Sequence, residues 1–118
     1  MRVIPAHIHR ILDYITVLAF LVAPSVLGLT GVPATLAYVL APVHFVLTLL
    51  TRFTSDRGVV PFPLHGTIEL IVAIALIAAP FVLHWDTVAL RYYVCTGIIF
   101  LIVWMLTDYR SVNERSMA

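Results

Sequence analysis

Lysine is absent from this chain: its seven basic residues are all arginine, and six acidic residues oppose them, leaving a formal net charge of +1. With only 11% of residues charged, the basic surface that nucleic acid requires is excluded. Cysteine is represented by Cys95 alone, inside an apolar run, which rules out an intramolecular disulfide and any cysteine-based metal cluster within one chain. The chain also lacks a glycine-rich phosphate loop, a zincin helix, a nucleophile elbow and any Cys-His arrangement. Enzymatic readings therefore have little to stand on.

What the chain does have is apolar residues, 62% of the total, with a mean hydropathy of +1.05. Both figures lie far outside the soluble average and indicate a membrane protein, one domain by its 118 residues. The first apolar run is too long for a signal peptide, contains Asp13 and has no A-x-A site, so we expect it to be retained.

A stretch from His9 to Leu29, HRILDYITVLAFLVAPSVLGL, returns without a gap 56 residues later, from His65 to Trp85, as HGTIELIVAIALIAAPFVLHW. Seven of 21 positions are identical, and Asp13 meets Glu69. Matches among Ile, Val, Leu and Ala are cheap in an apolar segment. A His, a carboxylate four residues on and a Pro fifteen residues on are not, so their joint recurrence reads as a duplicated unit.

Four spans are expected: Arg10 to Leu29, Ala34 to about Thr51, His65 to about His84, and Val88 to Thr107. Each is close to the roughly 20 residues that cross a hydrocarbon core of about 30 Å. Thr30 to Pro33 supplies a turn, while Pro61 and Pro63 force an extended approach to His65. The expected fold is all-α: a four-helix transmembrane bundle of two tandem hairpins (repeat 1 about 9–53, repeat 2 about 65–109), related by a pseudo-two-fold along the membrane normal. Ala19 and Ala23, like Ala75 and Ala79, form small-xxx-small rows suited to close helix approach. Both termini and the middle loop fall on one side with Arg2, Arg10, Arg52, Arg57, Arg110 and Arg115, against Arg91 on the other. The positive-inside rule then places both termini in the cytoplasm, in a bacterial-type inner membrane. Tyr14, Phe53, Trp104 and Tyr109 mark the inner boundary, and Trp85, Tyr92 and Tyr93 the outer one.

The pattern HIHRILDYITVLAFLVAPSVLGL, followed by LTLLTRFTSDRGVVPFPLHGTIELIVAIALIAAPFVLHW, resembles the SPW-repeat membrane proteins, small bacterial proteins with two copies of a helix that ends near a Ser-Pro-Trp signature. Here the signature reads Ala23-Pro24-Ser25 and Ala79-Pro80-Phe81, keeping its prolines. The family has no assigned biochemical activity, so the resemblance implies a fold and no functional residues.

His9 and Asp13 are spaced i, i+4, as are His65 and Glu69, so each pair lies on one helical face about one turn in from the cytoplasmic end. If both faces point at the axis, two imidazoles and two carboxylates converge as a ligand set for a divalent transition metal such as Zn, Fe or Mn, with His7 or water completing the shell. A haem between His9 and His65 is also conceivable. Alternatively each carboxylate holds its own His, or Asp13 holds Arg10, in a local ion pair favoured by the helix N-terminus. His44 should lie near the midplane as a neutral residue bonded to a carbonyl, Thr48, Tyr38 or Tyr14, or serve as a cofactor ligand or proton relay. Pro42 beside it would kink span two.

Three functional classes follow. The foremost is a non-enzymatic scaffold or accessory subunit, working as a homo-oligomer or with other membrane subunits in the lipid bilayer. The second is a metal- or haem-binding protein using His9, Asp13, His65 and Glu69. The third is a small channel or proton-coupled carrier with His44 on its polar path.

Overall fold

In the computed structural model, which describes residues 2–53 and 58–109, the chain forms four helices in series: α1 (Ala6–Leu27), α2 (Gly31–Leu50), α3 (Phe62–Val82) and α4 (Thr87–Leu106). Their 20 to 22 residues give lengths of roughly 30 Å or slightly more, and all four are long and apolar enough to cross a membrane. The expected four-helix bundle is therefore the observed fold, and its four candidate spans make this a multi-pass membrane protein. Among the arginines used for orientation, Arg57, Arg110 and Arg115 lie outside the described residues.

Helices α1 and α3 begin earlier than expected, because proline opens both of them. Pro5 and Pro61 hold extended backbone at the N-caps, and Pro63 sits inside the first turn of α3 rather than extending the loop. A first-turn N–H has no helical partner anyway, so proline is tolerated there. Asp86 caps α4 through the Ala89 N–H at 2.9 Å. At the opposite ends, the Pro24 and Pro80 carbonyls accept the N–H groups of Leu29 and Trp85, so these prolines close α1 and α3 with equivalent contacts.

The lead into each hairpin is pinned to the end of the other hairpin's second helix. Val3 and Ile4 donate to Leu106 O at 2.7 and 2.9 Å, while Val59 and Val60 donate to Leu50 O at 2.8 and 2.9 Å. The two sets of residues are 56 positions apart throughout, and they put the first turns of α1 and α3 side by side, running parallel. Arg2 adds a bond to the Thr107 carbonyl at 3.1 Å, a cation at a helix C-terminus where the peptide dipoles favour one.

The outward surface is aliphatic, with Leu18, Val26, Ile71 and Val82 all more than half exposed, as contact with lipid requires. Of the predicted alanine rows only one member of each turns inward: Ala23 is buried and Ala79 half-buried, while Ala19 and Ala75 are exposed. Ala37, Ala41, Ala73 and Gly97 are buried as well. A Cβ at Gly97 would come within 2.6 Å of Ile77 Cγ1 and 2.8 Å of Ala73 O, so α3 and α4 touch through backbone there. Spacing alone identified a row of small residues but not which side of the helix faced its neighbour.

Candidate functional site: a buried histidine and carboxylate cluster

Two helical faces, each carrying a His and a carboxylate four residues apart, meet near the first turns of α1 and α3. His9 and His65 are fully buried, and Asp13 and Glu69 are only 4% and 5% exposed. One ligand-capable atom from each of the four residues lies within 4.8 Å of all the others. His9 Nε2 is 2.9 Å from Glu69 Oε2 and 3.3 Å from Asp13 Oδ1. His65 Nε2 is 3.0 Å from Glu69 Oε1 and 3.0 Å from Asp13 Oδ2. Each imidazole therefore addresses both carboxylates, and separate local pairs do not describe the arrangement. Arg10 has no place in it.

The outer nitrogens of the two rings decide how the inner ones are used. His9 Nδ1 lies 2.9 Å from Thr107 Oγ1, and His65 Nδ1 lies 2.8 Å from Thr51 Oγ1. Each threonine hydroxyl already donates its one proton to the carbonyl a turn earlier, Thr107 to Val103 at 2.6 Å and Thr51 to Leu47 at 2.6 Å. A hydroxyl with its proton committed can only accept, so both Nδ1 atoms carry hydrogen. As neutral imidazoles the two rings would present the Nε2 lone pair to the carboxylates, which repels unless a proton or a metal cation stands between them. With both imidazoles neutral, the cluster holds two negative charges in a place where each uncompensated ion costs several kcal/mol. Asp13 Oδ2 shows the same shortage of positive charge: it is buried and receives no well-aligned hydrogen bond, despite His65 Nε2 at 3.0 Å. Two protons or one divalent ion would balance it.

His44 stands at the edge of this group. Its Nε2 is 3.3 Å from Asp13 Oδ1 and 3.7 Å from Glu69 Oε1, so its partner is a carboxylate rather than the neutral groups expected; Thr48 instead donates to the His44 carbonyl at 2.8 Å. His7 is exposed and contributes nothing, so the third imidazole near the cluster comes from α2.

A plug of aromatic rings closes the end of the bundle below the histidines. Phe62 lies 5.3 Å edge-on to His9 and 4.7 Å from Tyr109, while Phe53 lies 5.2 Å from Phe62 and 5.4 Å from His65. Phe53 and Tyr109, expected as boundary aromatics, are buried in this plug. Tyr109 fits because residue 66 is glycine, where a Cβ would come within 2.5 Å of the ring. Burial, and secondarily the charge of Glu69, push the Tyr109 phenol well above its ordinary range, so it stays neutral beside the cluster.

Sequence reasoning found all four cluster residues but missed the threonines and the plug. Thr51 and Thr107 are a matched pair at the 56-residue spacing, and that match was the available signal. No family model, no curated protein and no solved structure matches this chain.

Proposed function

We propose that this chain is a membrane-embedded metal-binding protein in which His9, Asp13, His65 and Glu69 hold one divalent transition ion. The observation that carries the reading is the committed threonine proton on each side, which puts hydrogen on both Nδ1 atoms and leaves the two Nε2 atoms, facing two carboxylates, as the positions that can hold an ion. Two neutral imidazoles and two carboxylates match the charge of a dication and offer the mixed nitrogen and oxygen set that suits Zn, Fe or Mn. Ligands about 2.0 to 2.1 Å from a tetrahedral ion stand roughly 3.3 Å apart. The 2.9 to 3.3 Å contacts are close to that spacing, but each carboxylate meets the two rings through different oxygens, so the one-atom-per-residue set, within 4.8 Å, would have to draw in around an ion. A porphyrin is disfavoured, because both carboxylates stand within 2.9 to 3.3 Å of the two rings and the voids of about 130 and 40 Å³ beside the cluster are far smaller than a macrocycle.

The same reading takes the two hairpins as copies of one ancestral unit, since Thr51 and Thr107, Ile4 and Val60, and the paired cluster residues make matching contacts. Arg2, Arg10 and Arg52 at one end, against Arg91 at the other, favour termini on the cytoplasmic side. The ion would then sit just inside the cytoplasmic boundary, behind the aromatic plug.

Elemental analysis and an absorbance spectrum of purified protein loaded with Zn²⁺, Mn²⁺ or Fe²⁺ test this. About one equivalent per chain is expected with no Soret band, falling to background in His65→Ala and Asp13→Asn. Protein that retains no ion after loading, or that retains it equally in both variants, would favour a scaffold held together by a protonated cluster.

A further inference from the structure

Two voids flank the cluster, one between α1 and α4 and one between α2 and α3, and they occupy equivalent places in the two hairpins. They differ in size and in lining, position 44 being His where position 100 is Phe. The α2/α3 void, with His44 and Phe20 in its lining, measures only about 40 Å³, whereas the α1/α4 void measures about 130 Å³. Leu12, Phe100 and Val103 wall the larger one, and Asp13 and Glu69 form its floor. Its mouth lies between Ile15 and Ile99, 56% and 59% exposed, on the surface that faces lipid.

We infer that the α1/α4 void is a binding site for the ring of a membrane-soluble phenol, with its hydroxyl donated to the Asp13 and Glu69 carboxylates. Size supports a single ring, since an apolar cavity of about 150 Å³ holds one benzene. Chemistry selects a hydrogen-bond donor. The Thr16 hydroxyl on the wall gives its proton to Leu12 O at 2.8 Å, so it too can only accept, as the carboxylates do. The buried Asp13 Oδ2, which lacks an aligned donor, is one of the floor oxygens. A lipid acyl chain would satisfy the walls and leave Asp13 Oδ2 without a donor. An ammonium would carry its charge through an aliphatic mouth. The assignment goes beyond the metal reading and does not require it, because a carboxylate accepts a hydroxyl proton with or without an ion on its other lone pairs.

The test uses the full chain in lipid nanodiscs, with equilibrium dialysis of 4-methylphenol and of toluene corrected for partition into empty discs. Saturable binding of about one 4-methylphenol per chain is expected, with toluene weaker by roughly tenfold or more, the worth of one hydrogen bond to a charged group. Ile99→Trp, at the mouth, should weaken 4-methylphenol by a similar factor, while Val43→Trp, the equivalent position on the other void, should leave it within about twofold. Toluene binding as tightly as 4-methylphenol would make the void an apolar pocket and overturn the assignment. So would equal losses in the two Trp variants, or no saturable binding above empty discs. Because metal loading is measured separately, either idea can fail while the other stands.

Discussion

His44 and Phe100 face each other across the bundle with ring centroids 5.8 Å apart, and they stand 56 residues apart in sequence, so equivalent places carry different chemistry. The polar one stands 3.3 Å from Asp13, as His9 does, but 3.7 Å from Glu69, which His9 approaches to 2.9 Å. Replacing His44 by Phe makes both sides of the bundle alike and separates a ligand from a supporting donor. We expect His44→Phe to keep about one equivalent of metal with an affinity loss of no more than roughly tenfold, as for a group that orients a ligand. Competition titration with a chelating dye measures it. Loss of the ion itself would promote His44 to a primary ligand.

Thr51 and Thr107 should matter equally, because each fixes one imidazole by the same device. Thr51→Val and Thr107→Val keep the side-chain shape and remove the acceptor, leaving a buried Nδ1–H without a partner. Each variant is expected to weaken metal binding by about 10- to 100-fold without changing stoichiometry. An effect in only one of them would show that the two histidines are not equivalent ligands.

The sequence made the helices legible because four apolar runs near 20 residues have few alternatives in a membrane. It made the cluster residues legible because His and carboxylate at i, i+4 recurred at a fixed spacing. Their convergence could not be read from spacing, which says that His9 and Asp13 share a face but not where that face points. The alanine rows held only in part for the same reason, Ala23 facing the core while Ala19 and Ala75 lie on the outward side. Phe53 and Tyr109 illustrate a second ambiguity: an aromatic residue just past a helix end reads equally as an interfacial anchor or as a plug. Packing against His65 and Phe62 decides for the plug.

Ion removal should cost stability. An ion that binds only the folded chain stabilises it by about 2.7 kcal/mol at a free concentration 100 times its Kd. Without it, the cluster must take up two protons or tolerate two buried negative charges. We expect the thermal midpoint of chelator-stripped protein in detergent to rise when Zn²⁺ or Mn²⁺ is added. No rise should occur in an Asp13→Asn, Glu69→Gln double variant, which removes the ligand charges. A rise of equal size in that variant would place the stabilising ion elsewhere.

The ends of α1 and α3 offer a test of the fold that owes nothing to the cluster. Gly28 has φ of +67°, and His84, its equivalent 56 residues on, has φ of +54°, so one hairpin places a non-glycine residue in the left-handed conformation. That conformation costs an L-residue with a Cβ roughly 1 to 2 kcal/mol, while glycine adopts it freely and loses part of the gain to its more mobile unfolded chain. His84 is exposed, so its side chain has little packing to lose. His84→Gly should therefore stabilise the protein by about 0.5 to 1 kcal/mol. Gly28→Ala should destabilise it by about 1 kcal/mol through conformation alone, since a Cβ there meets nothing within 4 Å. Denaturant or thermal unfolding in detergent reads both. Destabilisation by His84→Gly would mean that the turn after α3 does not hold the left-handed geometry that ends α1.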